Sequence, residues 1–174
     1  AAAIGVTAAS IKINWDSTNG RSAGTGVSAK LDVGTVDVVG GLDLSTINAD
    51  SIDATVASVT MGLSTSTDGN AIMLAGAGAG ATNSIGTKSS AQIVGSSNAN
   101  NSLTAGSLQL TSLDIASIKS AVGAGSFSAS FAGSGGLSVA PSIGIAIANN
   151  TLSSPNLVSI EGYSNISTTS GDLT

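Results

Sequence analysis

The chain has 174 residues, a length typical of one domain, but only 9% of them are charged, 2% are aromatic and the net charge is −5. It contains no Cys and no His, which excludes disulfides, thiolate metal sites, cysteine nucleophiles and the commonest general base. Its 5 Lys and Arg residues occur singly along the sequence, so the basic patch of a nucleic-acid-binding protein is excluded as well.

Apolar residues still provide a core, because they make up 41% of the chain and disorder through low hydrophobicity is therefore not expected. Most of them are Ala, Val, Ile and Leu, and the aromatic residues are Trp15, Phe127, Phe131 and Tyr163. A globule of this size usually fills its centre with several large rings. The composition therefore favours a thin core between closely spaced sheets.

Alternation of apolar and polar residues predicts β-strands from the start of the chain onward. Ile11-Lys12-Ile13 and Val36-Asp37-Val38 have an apolar residue at every second position, the period of a strand with one buried face. Apolar strand blocks recur at residues 27–31, 42–59 and 73–81. Turns are predicted at segments rich in Gly, Asn and Asp, namely Asn19-Gly20, Asp68-Gly69-Asn70, residues 133–136 and Ser170-Gly171-Asp172.

Helix is the alternative for two Ala-containing segments, residues 71–81 and 117–124. Gly76, Gly78 and Gly80 would each cost a helix about 1 kcal/mol relative to Ala. The segment that corresponds to residues 71–81 in the repeat described next is rich in β-branched Ile and contains Pro141. Because one repeat position should have one structure, strands are predicted for both segments.

The sequence repeats itself, without a gap, at an offset of 108 − 42 = 66 in the numbering. The segment LDLSTINADSIDATV, which begins at Leu42, matches LQLTSLDIASIKSAV, which begins at Leu108. The matched pairs include Leu42 with Leu108, Leu44 with Leu110, Ile47 with Leu113, Ile52 with Ile118, Val56 with Val122, Met61 with Phe127, Gly69 with Gly135, Met73 with Val139, Gly78 with Gly144 and Asn83 with Asn149.

Further segments extend the repeat toward both ends of the chain. Ile11 and Ile13 resemble Ile145 and Ile147 and indicate a weaker third copy at the N-terminus. Three segments run from one apolar residue through a short Gly-containing turn to the next, from Val36 to Leu42, from Leu103 to Leu108 and from Ile166 to Leu173. We therefore expect about two and a half copies, cut from a longer array.

A repeat of this length predicts a solenoid, because it divides into three stretches of about 22 residues, which suits one coil of a parallel β-helix. The predicted fold is thus all-β, a parallel β-solenoid in which each repeat forms roughly three coils and residues 1–174 form a single segment. Stacked coils bury the apolar face that one coil cannot bury alone. The alternative is a β-sandwich of Ser- and Thr-rich strands, which would not explain the offset.

No membrane span is expected, because the longest apolar runs, residues 71–81 and 137–148, are shorter than the roughly 20 residues that a membrane-spanning helix needs. No basic region precedes either run, so neither is predicted to be a signal peptide. The chain starts without Met, and we interpret it as a fragment or subunit of something longer.

An alternating Gly/Ala/Val/Ile strand that ends in Asn and a turn occurs three times, at residues 3–17, 71–84 and 138–151. The last of these is followed by a strand at residues 158–163 and by a turn at Gly171-Asp172. In these features the chain resembles the repeat units of long bacterial surface and secreted β-solenoid adhesins of the filamentous-haemagglutinin-like kind. The resemblance implies a secreted, rod-like, non-enzymatic array. The polar segment at residues 96–101 departs from the pattern, and we expect it to bulge from its coil.

Catalytic residues are not predicted. The many Ser residues have no His to activate them, and neither Lys88 nor Lys119 lies in a motif for that role. Paired carboxylates hydrolyse glycosides in some proteins, and candidates are Asp37 and Asp43, expected on neighbouring strands, and Asp50 and Asp53, close in sequence. Solvated or turn Asp is the simpler interpretation of all four.

No cofactor is expected either, although weak calcium binding remains an option. The nonapeptide Gly-Gly-x-Gly-x-Asp of calcium-binding β-helices is absent. Asp68-Gly69-Asn70 supplies few of the roughly six or more oxygens that Ca²⁺ requires. Any such site would be weak or shared between coils.

The sequence therefore favours a non-catalytic, extracellular structural or adhesive repeat protein, such as a cell-surface fibre, a surface layer or an adhesin stalk. The expected partners are itself or neighbouring repeats through end-to-end stacking, and cell-surface glycans or other cells. The alternative is a solenoid that binds carbohydrate or ice. Ice binding would need Thr ranks at the coil period, but Thr65 and Thr67 correspond to Phe131 and Gly133 in the next copy.

Overall fold

The computed structural model describes residues 1–16, 18, 21–22, 26–96 and 100–174. For residues 21–22 it describes the backbone only. Every element of regular structure within these residues is a β-strand. The helix alternative for residues 71–81 and 117–124 is thus wrong, and the predicted strands are confirmed. The predicted turn at Asn19-Gly20 lies outside the described residues.

The strands fall into three successive passes of the chain, described in order. The first pass comprises β1 (Ala2–Ile13), β2 (Trp15–Asp16), β3 (Arg21–Ser22), β4 (Gly26–Asp32), β5 (Thr35–Asn48), β6 (Ser51–Thr65) and β7 (Ala71–Ile72). The second comprises β8 (Leu74–Gly86), β9 (Lys88–Val94), β10 (Ser102–Asp114), β11 (Ser117–Phe131) and β12 (Ser138–Val139). The third comprises β13 (Ser142–Ser153), β14 (Asn156–Glu161) and β15 (Asn165–Thr168).

Sheets form between equivalent strands of successive passes. The orders are β1-β8-β13, β4-β9-β14, β5-β10-β15, β6-β11 and β7-β12, and the pairs β5–β10, β10–β15, β4–β9, β9–β14 and β7–β12 are parallel. The short pair β2–β3 is antiparallel. Parallel pairing of one pass with the next is the arrangement of a solenoid, so the predicted parallel β-solenoid is confirmed.

The offset of the sequence repeat is confirmed as the register of β5 with β10 from Gly41 onward. Leu108 is paired with Leu42 and Leu110 with Leu44. The turn-linked segments align as well, because Leu103 is paired with both Val36 and Ile166, and Leu108 also forms a bridge with Leu173. Equivalent residues of the repeat are therefore direct neighbours across the strands.

The predicted division of each repeat into three coils is wrong. Paired residues on neighbouring strands of the sheet β4-β9-β14 are between 62 and 67 positions apart in the sequence. The pair Gly26 with Lys88 gives the lower value (88 − 26 = 62), and the pair Ser89 with Asn156 gives the upper one (156 − 89 = 67). The alternating stretches within one repeat belong to different sheets and do not stack on one another. Each full repeat is thus one coil.

The register departs from the repeat offset in two places that the sequence comparison misassigned. Val139 is paired with Ile72, not with Met73, because the turn before β12 holds one residue more than its counterpart before β7. At the N-terminus, Leu74 N donates to Ala1 O at 3.1 Å, which places Ala2 beside Leu74. The third copy is therefore real, since β1 joins β8 and β13, but its register differs from the predicted one.

One compact unit consists of residues 1–11, 52–83 and 118–151. Its core is built from small side chains, with Val56, Ala79 and Ala81 buried against Ala9, Val122 and Ala124. In β8, Ala75, Ala77, Ala79 and Ala81 are buried while the glycines between them are only half-buried. Phe127 and Phe131 are 59% and 60% exposed. The predicted thin core without aromatic rings is confirmed in this unit.

A second compact unit consists of residues 12–51, 84–117 and 152–174. Its core contains larger branched side chains, of which Ile93, Leu103 and Leu108 are fully or almost fully buried. Tyr163 and Ile160 of the third pass pack against this core. Burial of such aliphatic side chains, at about 25 cal/mol per Å² of apolar surface, is the main stabilising contribution here.

The second pass of the chain is longer than the first at residues 96–101, and the bulge predicted for this polar segment lies partly outside the described residues. The offset between paired strands rises from 94 − 32 = 62 at the end of β9 to 102 − 35 = 67 at the start of β10, so the second pass is longer than the first at this point. Residues 97–99 lie outside the described part of the chain. Asn101, which is buried, donates from Nδ2 to Gly162 O at 2.8 Å and connects the residue before β10 to the third pass.

Candidate functional site

The strand edges of both units are the most distinctive chemical feature of the described structure. In the first unit, β1 and β13 are the outer strands of their sheet. In the second unit, β4 and β5 form the outer strands on one side, and β14 and β15 form them on the other. An outer strand presents a row of N–H and C=O groups that can pair with another strand.

The backbone geometry of β14 shows which of its groups face outward. Ser89 N donates to Pro155 O at 3.1 Å and Gly95 N donates to Glu161 O at 2.7 Å. In a parallel ladder, alternate residues bond to the same neighbour, so the odd-numbered residues of β14 bond to β9. The N–H groups of Asn156, Val158 and Ile160 therefore face the outer edge.

Polar side chains form ladders across the stacked strands, in register with the backbone. Asn83 Nδ2 donates to Asn150 Oδ1 at 3.0 Å within the first unit. In the second unit, equivalent bonds join Gln92 Nε2 to Ser159 Oγ at 3.1 Å, Ser90 Oγ to Ser28 Oγ at 3.1 Å and Thr46 Oγ1 to Ser112 Oγ at 3.2 Å. Amides and hydroxyls both donate and accept, so each ladder can be extended by another strand.

The four Asp residues considered as carboxylate pairs lie on β5, between β5 and β6, and on β6. Asp37 and Asp43 both lie on β5, not on neighbouring strands, and both are exposed. Asp50 is half-buried after β5, and its Oδ2 accepts from Asn48 Nδ2 at 3.2 Å. Asp53 is exposed on β6. Among the described residues, no group of three or more acidic side chains is arranged to hold a metal ion.

Asp114 accepts hydrogen bonds from three different residues, and sequence reasoning missed it. It accepts from Asn48 Nδ2 at 3.1 Å, from Thr87 Oγ1 at 3.2 Å and from Ala116 N at 2.9 Å. Asn48 and Asp114 are paired residues of β5 and β10, so the offset of the repeat was the signal that could have found this contact. These bonds connect β10 to β5 and to Thr87, which lies between β8 and β9.

Lys30 and Lys88 lie on the outer face of β4 and β9 but do not build a binding pocket. Lys30 Nζ is 2.8 Å from Asp32 Oδ2 in an exposed ion pair. A depression of about 220 Å³ beside it is lined by Gly26, Val27, Ser28, Lys88, Ser90 and Gln92. Pockets for small molecules are usually about 300–1,000 Å³ and mostly apolar, so this depression lacks the usual character of a ligand site.

Tyr163 connects the third pass to the first within the second unit. Its hydroxyl donates to Val33 O at 2.8 Å, and its ring packs against the core. Burial raises the pKa of the Tyr163 phenol above its ordinary value of 10.0, and the Asp32 carboxylate raises it further. Both causes disfavour the phenolate.

We expect this raised pKa to make the protein sensitive to alkali. The folded state holds the phenol protonated, so its contribution to stability is complete below pH 10 and is lost as pH rises through the folded pKa. Tyr163 is the single Tyr of the chain, so an alkaline titration followed by phenolate absorbance measures the pKa of this residue directly. Its midpoint should lie above 10, and Tyr163→Phe should flatten the alkaline part of the stability curve. A midpoint at or below 10 would contradict the burial argument.

Within the described residues, no helix is long and apolar enough to cross a membrane. Comparisons with protein-family models, with curated proteins and with solved structures found no match to this chain. The resemblance to β-solenoid adhesins therefore stays a prediction.

Proposed function

We propose that this chain is a non-catalytic structural or adhesive module that assembles by stacking copies through their outer strands. One observation carries the proposal: the middle strand β9 is paired in parallel with β4 on one side and with β14 on the other. The two outer strands of this sheet are thus both adapted to the same partner. A further copy can continue the sheet by placing its β4 beside β14.

The registers within the chain define the register between copies. Ile93 is paired with Leu31 and with Ile160, so stacking in the same register would place Ile160 beside Leu31 of the next copy and extend the apolar core. Ser159 would then lie beside Lys30, and Glu161 beside Asp32. Lys30, which is paired with Asp32 at 2.8 Å, would lie between these two carboxylates and reduce their repulsion.

An extracellular location belongs to this proposal. With only 9% charged residues, the protein interacts with water mainly through hydroxyl and amide groups, as expected for a stable fibre or layer outside the cell. The absence of Cys and His leaves the module with few groups for catalysis. The resemblance to long bacterial surface adhesins supports the same function.

Stacking is tested by sedimentation velocity over a concentration series, with electron microscopy of the concentrated sample. We expect the mean mass of the wild-type protein to rise with concentration and elongated assemblies to form. Val158→Pro removes an outward N–H of β14 without removing a bond to β9, so it should shift assembly to at least about tenfold higher concentration. Val158→Ala, which keeps the N–H, is the matched control. A wild-type protein that stays monomeric throughout would overturn the proposal.

A further inference from the structure

The outer face of the sheet β1-β8-β13 contains a groove whose floor is made of glycine. The alanines of β8 are buried in the core, and Gly76, Gly78 and Gly80 alternate with them on the outer face. A Cβ built on Gly76 or Gly80 would meet no described atom within 4 Å. The middle strand of this sheet therefore presents bare backbone where its neighbours present side chains.

Aliphatic side chains of the two neighbouring strands form the walls of this groove. Leu74 N donates to Ala1 O at 3.1 Å and Ala75 N donates to Pro141 O at 3.1 Å, and these bonds define the register of β8 with β1 and with β13. In this register each glycine of the floor has a wall residue on either side. The walls consist of Ile4, Val6 and Ala8 on β1 and of Ile143, Ile145 and Ile147 on β13.

Contacts of three glycines show which face these side chains occupy. A Cβ on Gly78 would lie 3.7 Å from Cγ2 of Val6, so Val6 stands over the floor. A Cβ on Gly144 would lie 2.7 Å from Ala124 O, and one on Gly5 would meet Thr60, both on the inner side of the sheet. The residues that alternate with Gly144 and Gly5 therefore point outward, and the Ile and Val residues of both walls are between 57% and 77% exposed.

The groove contains no charge and no aromatic ring. Residues 2–10, 74–82 and 141–149 include no Asp, Glu, Lys or Arg, and the four aromatic residues of the chain lie outside these ranges. A membrane surface or a nucleic acid would be bound through cationic side chains. The groove therefore fits an uncharged, aliphatic occupant.

The Ile row on β13 of a second copy fits this groove. Ile145 lies beside Gly78 in the register of β13 with β8, which the Asn83–Asn150 hydrogen bond continues to the end of the strand. A rotation of 180° about an axis in front of the face, parallel to the strands and midway between β8 and β13, exchanges these two strands without moving any residue along them. It places Ile145 of each copy opposite Gly78 of the other. The other two Ile residues of the row reach the other two glycines in the same way.

We propose that two copies of this chain pair face to face, with the Ile row of β13 from each copy seated on the glycine floor of the other. Each row then lies between the two walls of the opposite copy, which are about 9.6 Å apart, and interdigitation of this kind excludes water between paired sheets. Both copies use the same surface, as a two-fold contact requires. The contact uses the face of a sheet, whereas the proposed stacking uses strand edges, so neither depends on the other.

The area of the groove predicts a weak contact. Three strands over nine residues cover roughly 14 by 30 Å, or about 400 Å² per copy. A standard interface buries about 800 Å² per partner. We therefore expect dimers that form at high protein concentration and dissociate on dilution.

The test is sedimentation equilibrium of the Val158→Pro protein, in which the proposed stacking is weakened, at concentrations up to about 1 mM. Gly76→Val combined with Gly80→Val fills the floor, so it should raise the dissociation constant of the dimer at least about tenfold. Gly123→Val combined with Gly125→Val on β11 is the matched control, because a Cβ at either position also meets no described atom within 4 Å. It should change the dissociation constant by less than about threefold.

A second pair of variants tests the opposite side of the same contact without filling the groove. Ile145→Ala trims the row and should weaken pairing at least about fivefold, since the side chain is lost from both halves of the contact. Val59→Ala, on the exposed face of β6, should change pairing by less than about twofold.

Absence of dimers up to about 1 mM, or equal losses in the groove variants and their controls, would overturn the proposal. Val is favoured over Gly in strands, so both Gly→Val proteins should unfold at urea concentrations no lower than their parent, and loss of pairing is then not a folding defect. A wild-type protein that forms dimers but no larger assemblies would contradict stacking and support face-to-face pairing. Failure of one proposal is therefore distinguishable from failure of the other.

Discussion

Replacement of Ile93 by Ala is expected to lower the free energy of unfolding by about 2–5 kcal/mol. Ile93 is 0% exposed and lies in the middle strand of the sheet β4-β9-β14, paired with Leu31 on one side and Ile160 on the other. Removing three of its carbons would leave a cavity that neighbours from all three passes of the chain border. Such a cavity relaxes poorly because strands on both sides hold the backbone in register.

Urea unfolding followed by circular dichroism measures this change. Val39→Ala is the matched control, because Val39 is 96% exposed and its truncation should alter the free energy of unfolding by less than about 0.5 kcal/mol. If Ile93→Ala costs less than about 1 kcal/mol, the second unit does not depend on the stacked apolar core that we describe.

Replacement of Gly106 by Ala is expected to cost about 1–3 kcal/mol. Gly106 lies in β10 at the irregularity where the register with β5 shifts between Ala105 and Ser107. A Cβ at this position would lie 2.6 Å from Val39 O and 2.9 Å from Gly40 O. Both are backbone atoms of the neighbouring strand, so relief requires the two strands to move apart.

Gly40→Ala provides the control in the same irregularity. A Cβ on Gly40 would meet no atom within 4 Å, and Ala in place of a compatible Gly reduces the conformational entropy of the unfolded chain. We therefore expect Gly40→Ala to be neutral or stabilising by up to about 1 kcal/mol. Equal urea midpoints for the two variants would show that close backbone contact at Gly106 does not limit this site.

The outer strands β4 and β14 share the middle strand β9, and this arrangement is the basis of the proposed stacking of copies. The ladder of amides and hydroxyls, such as Asn83 with Asn150, suits stacking because each rung can bond on both sides. Hydrogen bonds of this kind explain how a chain with few charges can still specify the register between neighbouring strands.

The position of equivalent residues could be predicted because the sequence repeats. The match of Leu42 with Leu108, found from the sequence alone, is a direct pair of β5 and β10. Ile52 and Ile118 lie on the paired strands β6 and β11. The register beyond the turn at residues 132–137 could not be predicted, since one additional residue in a Gly-rich turn changes no apolar spacing.

The sequence by itself determined the strands, their alternation of buried and exposed positions, the thin core and the offset of the repeat, because these follow from which residues are near in the chain or equivalent in the repeat. Only the tertiary structure decided that one repeat forms one coil and that Asp37 and Asp43 share a strand. The physical reason is that alternation fixes which face of a strand is buried. It does not fix which distant strand completes its backbone hydrogen bonds.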